Sequence, residues 1–358
     1  MEFIAEIGMN YNTNKGLIPE MVRLASNAGA DYAKLQLGWR DKPGEINNLS
    51  KEDIIRFSKS CNYYGIKPLF SIISLSAWEM FENTFERIDT VKIASRTLKH
   101  DKDLILKIQE KAKRLIISTG MDSKEEGLKH SINGDYLWCV SKYPAFPEDI
   151  RNMPGNFIHT GYSGFSDHTH GISASLIAIS RGAKIIERHF TLDKSDSTIR
   201  DHSVSSTPDE FKEMVQIGRE IAKLYENTFR SINISFANEF KILCEKSNIN
   251  FHKVIDTCST KPFGFKRFNP GPGLGGHCIP IDPMFLDWFA KKNNAPSKFI
   301  SLSHKVNTEV NNWVLKQILK NLKKIKHKKK KIIILGMAYK KNINDTRESP
   351  SIKIFSNL

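Results

Sequence analysis

Two stretches of this chain carry residue types that do chemistry, at spacings that chemistry uses. In the first, GYSGFSDHTHGI (Gly161 to Ile172) and IIERHFT (Ile185 to Thr191) put His168 just past one apolar run and His189 within the next. If the two runs are neighbouring strands, two imidazoles meet at one rim. Two histidines completed by waters or a carboxylate suit Mn or Zn better than Mg, and an open coordination sphere leaves room for a substrate carbonyl. The chemistry this implies is a metal-assisted, aldol-type addition, whereas a single histidine would read as a packed core residue. In the second stretch, NPGPGLGGHCIPIDP (Asn269 to Pro283), glycines let backbone amides and the Cys278 thiol come close to a ligand. With Lys223, Asn227 and Asp282 in reach, that thiol could capture an aldehyde as a thiohemiacetal, the step a thiol-dependent sugar oxidation needs. A structural cysteine fits the spacing equally well. Gly271, Gly273 and Gly276 spell GxGxxG but do not make a dinucleotide loop: Pro272 interrupts them, no strand precedes them, and they run into HCIP rather than a helix.

The elements that must position the first group are legible as an alternation. Strand-like runs occur at 3–8, 33–37, 67–73, 90–95, 114–120, 135–141, 159–166 and 183–191, each followed by a helical pattern or a loop leading into one. Eight such repeats in the first 222 residues predict an α/β fold, a closed (β/α)8 TIM barrel, with an open doubly wound sheet as the alternative. Polar residues gather at the carboxyl ends of these runs: Glu6, Lys34, Gln36, Lys92, Ser95, Ser118, Ser141, Ser166, His168, Glu187 and His189. Barrel active sites are built at that rim. A lysine inside a strand is costly unless an anion partners it, so Lys34 and Lys92 predict a phosphate and carboxylate pocket.

After Ala222 the texture changes to long helical patterns over 226–248 and 301–326, and 208–240 reads as one amphipathic helix across the junction. KIIILG (Lys331 to Gly336) reads as the first strand of a further α/β unit, although a single strand cannot bury its faces. The expected organisation is a barrel over 1–222, a mainly helical domain over 223–326 and an incomplete Rossmann-like segment over 327–358. Five scattered cysteines with no CxxC pair suit a reducing compartment, and neither a membrane span nor a signal peptide is evident, so a cytoplasmic enzyme is expected. The net charge of +15 owes much to LKKIKHKKKK (Leu322 to Lys331), which reads as a solvated helix end and linker. No aromatics interleave with it, so neither nucleic acid nor membrane is an expected partner.

The first 220 or so residues resemble the sialic-acid (nonulosonic acid) synthase family. The resemblance rests on AEIGMNYN, GADYAKLQ, KIAS, ISTGM, CVSKYP, GFSDH, GAKIIERHFTLDK and RDHSVSSTPDEF in order along the segment. It implies condensation of phosphoenolpyruvate with the open-chain aldehyde of an N-acetylated hexosamine such as N-acetylmannosamine, with a divalent metal, Mn or Mg, as cofactor. Carried over, His168 and His189 would hold the metal. Lys34, Lys92, Ser95, Ser118 and Ser166 would hold phosphoenolpyruvate, while Gln36, Tyr143 and Asp201 would face the sugar, with Ser141 also on the substrate side. Glu6 would order a metal-bound water or substrate hydroxyls. The chain departs from the family at Tyr11, Ile72, Ile73, Thr97 and Trp138, where His, Thr-Pro, Glu and His are usual.

From about Ala222 the chain resembles the UDP-glucose/UDP-N-acetylmannosamine dehydrogenase family through KLYENTFRSINISFANEFKILCEK, STKPFGFKRFNPGPGLGGHCIPIDP and IIILGMAYKKNINDTRESPS. There Cys278 would be the nucleophile, assisted by Lys223, Asn227 and Asp282. Phe263, Gly276, Lys340 and Arg347 would line the UDP-sugar. NAD enters only by family analogy, with no NAD site expected here and the UDP-binding part reduced to its first unit. The expected function is the phosphoenolpyruvate condensation in a homodimer. The alternatives are a UDP-sugar dehydrogenase fragment serving as a UDP-sugar-binding or interaction module, and an inactive fusion.

Overall fold

The computed structural model describes residues 1–261, 264–292, 294–295 and 297–358. Eight parallel strands close into a barrel in sequence order: β1 (Glu2–Gly8), β2 (Tyr32–Leu37), β3 (Lys67–Ile72), β4 (Thr90–Ile93), β5 (Arg114–Ser118), β6 (Asp135–Cys139), β7 (Gly164–Asp167) and β8 (Ile185–His189). Closure comes from β1 pairing with β8, with Glu6 opposite His189. Side chains alternate faces along a strand, so residues two apart share a layer stack. Ile4, Tyr32, Leu69, Ile116, Leu137 and Ile185 form the buried plug of the barrel. Two residues further along each of these strands stand Glu6, Lys34, Ser71, Ser118, Cys139 and Glu187, and Gln36 and His189 lie one step beyond. The period of two thus turns an apolar floor into a polar upper layer without any strand changing course.

The opposite strand faces pack under the helices in one large core that includes Phe3, Ile7, Leu35, Phe70, Val91, Ile117, Phe165 and Ile186. Some helix starts in the barrel are fixed by side-chain capping. Ser50 and Asp53 form a reciprocal capping box before the helix Lys51–Tyr63, and Ser74 caps Leu75–Glu82.

The chain divides into two compact units, Met1–Ala222 and Lys223–Leu358. The second is helical, with a small core of Ala237, Cys244, Phe251 and Ile255. Two of its buried asparagines are bonded in its interior: Asn238 Nδ2 donates to Asn307 Oδ1 (3.2 Å), and Gly271 N donates to Asn238 Oδ1 (2.8 Å).

Three local expectations are corrected. The seventh strand starts at Gly164 rather than 159, because Asn156 caps a short helix, Phe157–Thr160, by accepting from the Ile158 and His159 amides. The fourth stops at Ile93, and Ser95 opens the helix Ser95–His100. Lys331–Gly336 forms no strand: among the described residues no ladder partner lies beside it, and Ile333 and Leu335 are 81% and 92% exposed. The only helix in the last segment of the described residues is Pro350–Ser356.

Candidate active site

At the carboxyl ends of the strands opens a cavity of about 680 Å³ lined by the upper layers of the barrel and by the loops beyond them. Glu6, Lys34, Gln36, Lys92, Ser95, Ser118, Ser141, Tyr143, Ser166, His168, His189 and Asp201 all line it, so every barrel residue given a site role in the sequence comes to one place. The deepest part is an ion cluster. Lys34 Nζ lies 3.0 Å from Glu187 Oε2 and 3.1 Å from Glu6 Oε2. Lys92 Nζ donates to Ser118 Oγ at 2.7 Å and lies 3.6 Å from Glu187 Oε1, which also accepts from Ser166 Oγ at 2.8 Å. Gln36 Nε2 donates to Glu6 Oε1 at 2.5 Å.

Burial and neighbouring charge pull these groups in different directions. Burial alone would raise Glu187, but the two ammonium groups beside it overcome this and hold it at about 2. Glu6, with less help from Lys34 and with the Glu187 charge nearby, is pushed up by burial. Burial also works against the charge on Lys92, and Lys34 adds repulsion, so Lys92 falls to about 8 despite Glu187. Lys34 goes the other way: its two carboxylates outweigh its burial. Glu187, which the sequence places at the rim without a role, is therefore the balancing anion of both lysines.

The two histidines share the wall above this cluster, with ring centroids 5.5 Å apart, and the Tyr143 ring lies 4.1 Å from His168 and 5.7 Å from His189. His168 Nδ1 sits 2.8 Å from the Val140 carbonyl, which can only accept, so Nδ1 is the donor of that bond and Nε2 is the ring nitrogen it does not engage. His189 Nδ1 is buried without a hydrogen-bond partner, 3.9 Å from Asp201 Oδ2. Burial keeps that imidazole neutral, with its pKa below the usual histidine value. A buried imidazole nitrogen lacking a partner, on a ring whose centroid is 5.5 Å from that of a second imidazole, fits a divalent cation. Among the described residues no group of three or more His, Cys, Asp or Glu is placed to hold a metal, and His168 and His189 are the side chains that would hold one here.

Several lining residues went unremarked in the sequence. Ser71 and Cys139 follow the same period of two as the lysines and could have been found by it. Trp39, Arg40, Arg96 and Arg200 lie past strand ends, where no period applies. Of the positions that depart from the resembled family, only Ile73 lines the cavity. Trp138 packs on Phe165 on the helix side (centroids 5.6 Å), Tyr11 donates to Asn47 Oδ1 at 2.7 Å, and Thr97 is buried against the Ile72 carbonyl.

In the second unit Asn227 Nδ2 donates to Asp282 Oδ2 at 2.6 Å, and the Asp282 amide donates to the Cys278 carbonyl at 2.8 Å. These three are thus neighbours. Gly276 is close by: its amide donates to the Arg347 carbonyl at 3.0 Å, its φ is +89°, and a Cβ there would meet the Tyr339 ring at 2.7 Å. Arg347 pairs with Asp345 at 2.7 Å. Lys223 and Lys340 are exposed, and no hydrogen bond or ion pair joins either to Cys278 among the described residues. Phe263 lies outside the described residues.

Comparison with known proteins assigns the barrel. The NeuB family profile matches residues 44–229, just over half of the chain. The chain belongs to the NeuB family. This NeuB-family barrel resembles the N-acetylneuraminic acid synthetase of Leptospira borgpetersenii in fold (TM-score 0.55, 24% identity, 62% of this chain and 84% of that one). It also resembles the spore coat polysaccharide biosynthesis protein spsE of Bacillus subtilis (TM-score 0.52, 26% identity, 63% of this chain and 69% of that one). Residues 219–309 match the central domain of the UDP-glucose/GDP-mannose dehydrogenase family. In that direction the chain is 42% identical over 139 residues to a UDP-N-acetyl-D-mannosamine dehydrogenase of Methanococcus vannielii and 41% identical to one of Campylobacter jejuni. These matches cover 39% of this chain, which spans only 31% and 33% of those relatives. This NeuB-family chain thus joins a synthase-type barrel to a dehydrogenase-like segment, and no helix in the described residues is long and apolar enough to cross a membrane.

Proposed function

We propose that the barrel condenses phosphoenolpyruvate with the open-chain aldehyde of an N-acetylated hexosamine such as N-acetylmannosamine, giving a nonulosonic acid and phosphate. The observation that carries this reading is the buried Lys34–Glu187–Lys92 cluster beside two imidazoles in one cavity. Two ammonium groups and the Ser95, Ser118 and Ser166 hydroxyls suit an anion bearing both a phosphate and a carboxylate. C3 of phosphoenolpyruvate would attack the aldehyde carbon, forming the new carbon–carbon bond as the aldehyde oxygen gains a proton. Water then adds at C2, and the C2–oxygen bond to phosphate breaks, leaving a ketone and inorganic phosphate. Glu6, pushed toward its neutral form and bonded to Gln36, is suited to hold or pass a proton where water or sugar hydroxyls meet the cluster. Tyr143, Gln36 and Asp201 would orient the sugar. A divalent cation, Mn or Mg, held by His168 and His189 would supply Lewis-acid polarisation of the aldehyde.

Phosphate release from phosphoenolpyruvate, dependent on an amino sugar and abolished by EDTA or by His189→Ala, is the expected result. Release that persists in EDTA would remove the basis of the proposal. We place the reaction in the cytoplasm and expect a homodimer.

For Lys223–Leu358 we propose UDP-sugar binding, supported by the Asn227–Asp282–Cys278 neighbourhood and the dehydrogenase-like match. NAD-dependent oxidation stands only as family analogy. Thermal stabilisation by UDP-N-acetylmannosamine tests the binding; no shift at millimolar ligand would dismiss it.

A further inference from the structure

Four consecutive residues, Thr198 to Asp201, line the barrel cavity, yet nothing between the end of β8 and the short helix Asp201–Val204 is regular structure. Side chains from other loops hold this stretch instead. His202, the next residue, is 1% exposed and bridges two loops. Its Nδ1 lies 2.7 Å from Thr191 Oγ1, just past β8, and its Nε2 lies 2.9 Å from Asn12 Oδ1, in the loop after β1. The neighbours fix the protons. Asn12 Nδ2 donates to Asp196 Oδ2, a carboxylate that only accepts, so Asn12 Oδ1 is the atom facing His202 and Nε2 must donate to it. Burial holds the imidazole below the usual histidine value, although Asp196, Asp201 and Asp193 pull the other way. The neutral ring therefore accepts at Nδ1 from the Thr191 hydroxyl. A second relay holds the Asp201 backbone. Ser205 Oγ donates to the Asp201 carbonyl at 2.6 Å and accepts at 2.9 Å from Asn10 Nδ2, which also donates to the Phe190 carbonyl at 2.9 Å.

We propose that His202 is a positioning residue: by donating to Asn12 it ties the loop after β8 to the loop after β1 and so sets where the Asp201 carboxylate stands. This rests on the condensation reading given above, in which Asp201 orients the sugar. Asp201 Oδ2 is 3.9 Å from His189 Nδ1, so a displacement of that carboxylate is felt beside the histidines while the lysine cluster on the floor keeps its own partners. A misplacement of about 1 Å in a group that orients a substrate costs up to about 100-fold in rate. His202 itself touches neither substrate.

The test compares His202→Ala, His202→Gln and His202→Asn in the full chain, assayed with phosphoenolpyruvate, Mn and N-acetylmannosamine. Backbone amide exchange over residues 193–201 is followed in the same proteins without substrate. A glutamine amide reaches the place of Nε2 and can donate to Asn12; an asparagine amide reaches only the place of Nδ1, beside Thr191. In His202→Ala, kcat/KM for the sugar should fall at least about tenfold with KM for phosphoenolpyruvate unchanged, and exchange over 193–201 should quicken. Glutamine should restore both and asparagine neither. Rescue by asparagine as good as by glutamine, unchanged exchange in the alanine variant, or an equal effect on both substrates would overturn the proposal while leaving the condensation intact. If the parent chain turns over no sugar, the condensation reading fails and exchange alone decides: protection lost with alanine and regained only with glutamine supports the tie through Asn12, and any other pattern rejects it. Should His202→Ala not fold, Asn12→Gly removes the same contact from the other loop, at a φ of +49° that glycine adopts freely, and must give the same split between the substrates.

Discussion

Lys92 is the residue whose chemistry is most exposed to pH. Burial first, then repulsion from Lys34, brings it down to about 8, so it is charged below that value and neutral above it. A neutral amine holds phosphate far less well than an ammonium group. In the free protein kcat/KM for phosphoenolpyruvate should therefore fall as pH rises through about 8. Lys92→Met should lower it by roughly 100-fold and remove that alkaline limb. An unchanged limb in the variant would assign it to another group. Glu187 invites the complementary measurement. Its carboxylate is held at about 2, below the usual 4.5, so its stabilising share is complete above 4.5 and is lost as pH falls toward 2. Glu187→Gln leaves two buried ammonium groups with only Glu6, and breaking such a cluster costs about 3–5 kcal/mol. Phosphoenolpyruvate or inorganic phosphate should restore part of that loss by replacing the missing charge. Chemical denaturation with and without phosphate measures both, and a variant as stable as the parent at neutral pH would show that the cluster does not need its carboxylate. The lysines were legible from sequence because a charge inside an apolar run is conspicuous. Glu187 was visible in ERH but not its role, since which carboxylate faces which ammonium group depends on how strands far apart in the chain stand across a barrel.

Among the elements, β7 leads into His168 and β8 ends in His189, and what locks the two strands together lies on the side away from the cavity. Arg188 Nη1 pairs with Asp167 Oδ2 at 2.8 Å, both fully buried, while its Nε donates to Ser206 Oγ and its Nη2 to the Thr169 carbonyl at 2.8 Å. Asp167 also accepts from the Thr169 amide and from Ser175 Oγ. One guanidinium therefore joins the ends of both strands to the loops that follow them. Arg188→Met should cost about 3–5 kcal/mol, since it leaves Asp167 charged and buried. At the other end of the pair, a Cβ on Gly164 would stand 1.9 Å from the Ile185 carbonyl oxygen, in the backbone of β8 itself. Gly164→Ala should then prevent the two strands from pairing, read as loss of a cooperative unfolding transition. A folded Gly164→Ala variant would mean that β8 can move aside. The alternation of faces made all eight strands readable, and with them the barrel. Where an end depended on a cap, as at Asn156, or on a ladder partner, as at 331–336, local pattern misled. An apolar β-rich run states a preference, and only a neighbouring strand realises it.

For the whole molecule, each compact unit owns a core: the barrel's plug and its helix-packed shell in one, the Ala237–Cys244–Phe251–Ile255 cluster in the other. The two candidate sites follow the same division, with the anion cluster and histidines wholly within residues 1–222 and the Cys278 neighbourhood wholly within 223–358. A ligand stabilises the unit that binds it, by an amount set by its concentration over its dissociation constant, about 2.7 kcal/mol at a hundredfold excess. Phosphoenolpyruvate with Mn should therefore raise the unfolding of the barrel, and UDP-N-acetylmannosamine that of the helical unit. The two are separable because the buried tryptophan Trp78 lies in the barrel, whereas Trp288 and Trp313 lie in the other unit. Replacing Trp288 and Trp313 by phenylalanine leaves fluorescence reporting on the barrel alone, while far-ultraviolet circular dichroism follows both units. Under phosphoenolpyruvate the fluorescence midpoint should rise; under the UDP-sugar it should stay, with the change confined to the helical signal. If the UDP-sugar moved the barrel midpoint as far as phosphoenolpyruvate does, the two sites would not be the separate ligand sites that their residues indicate.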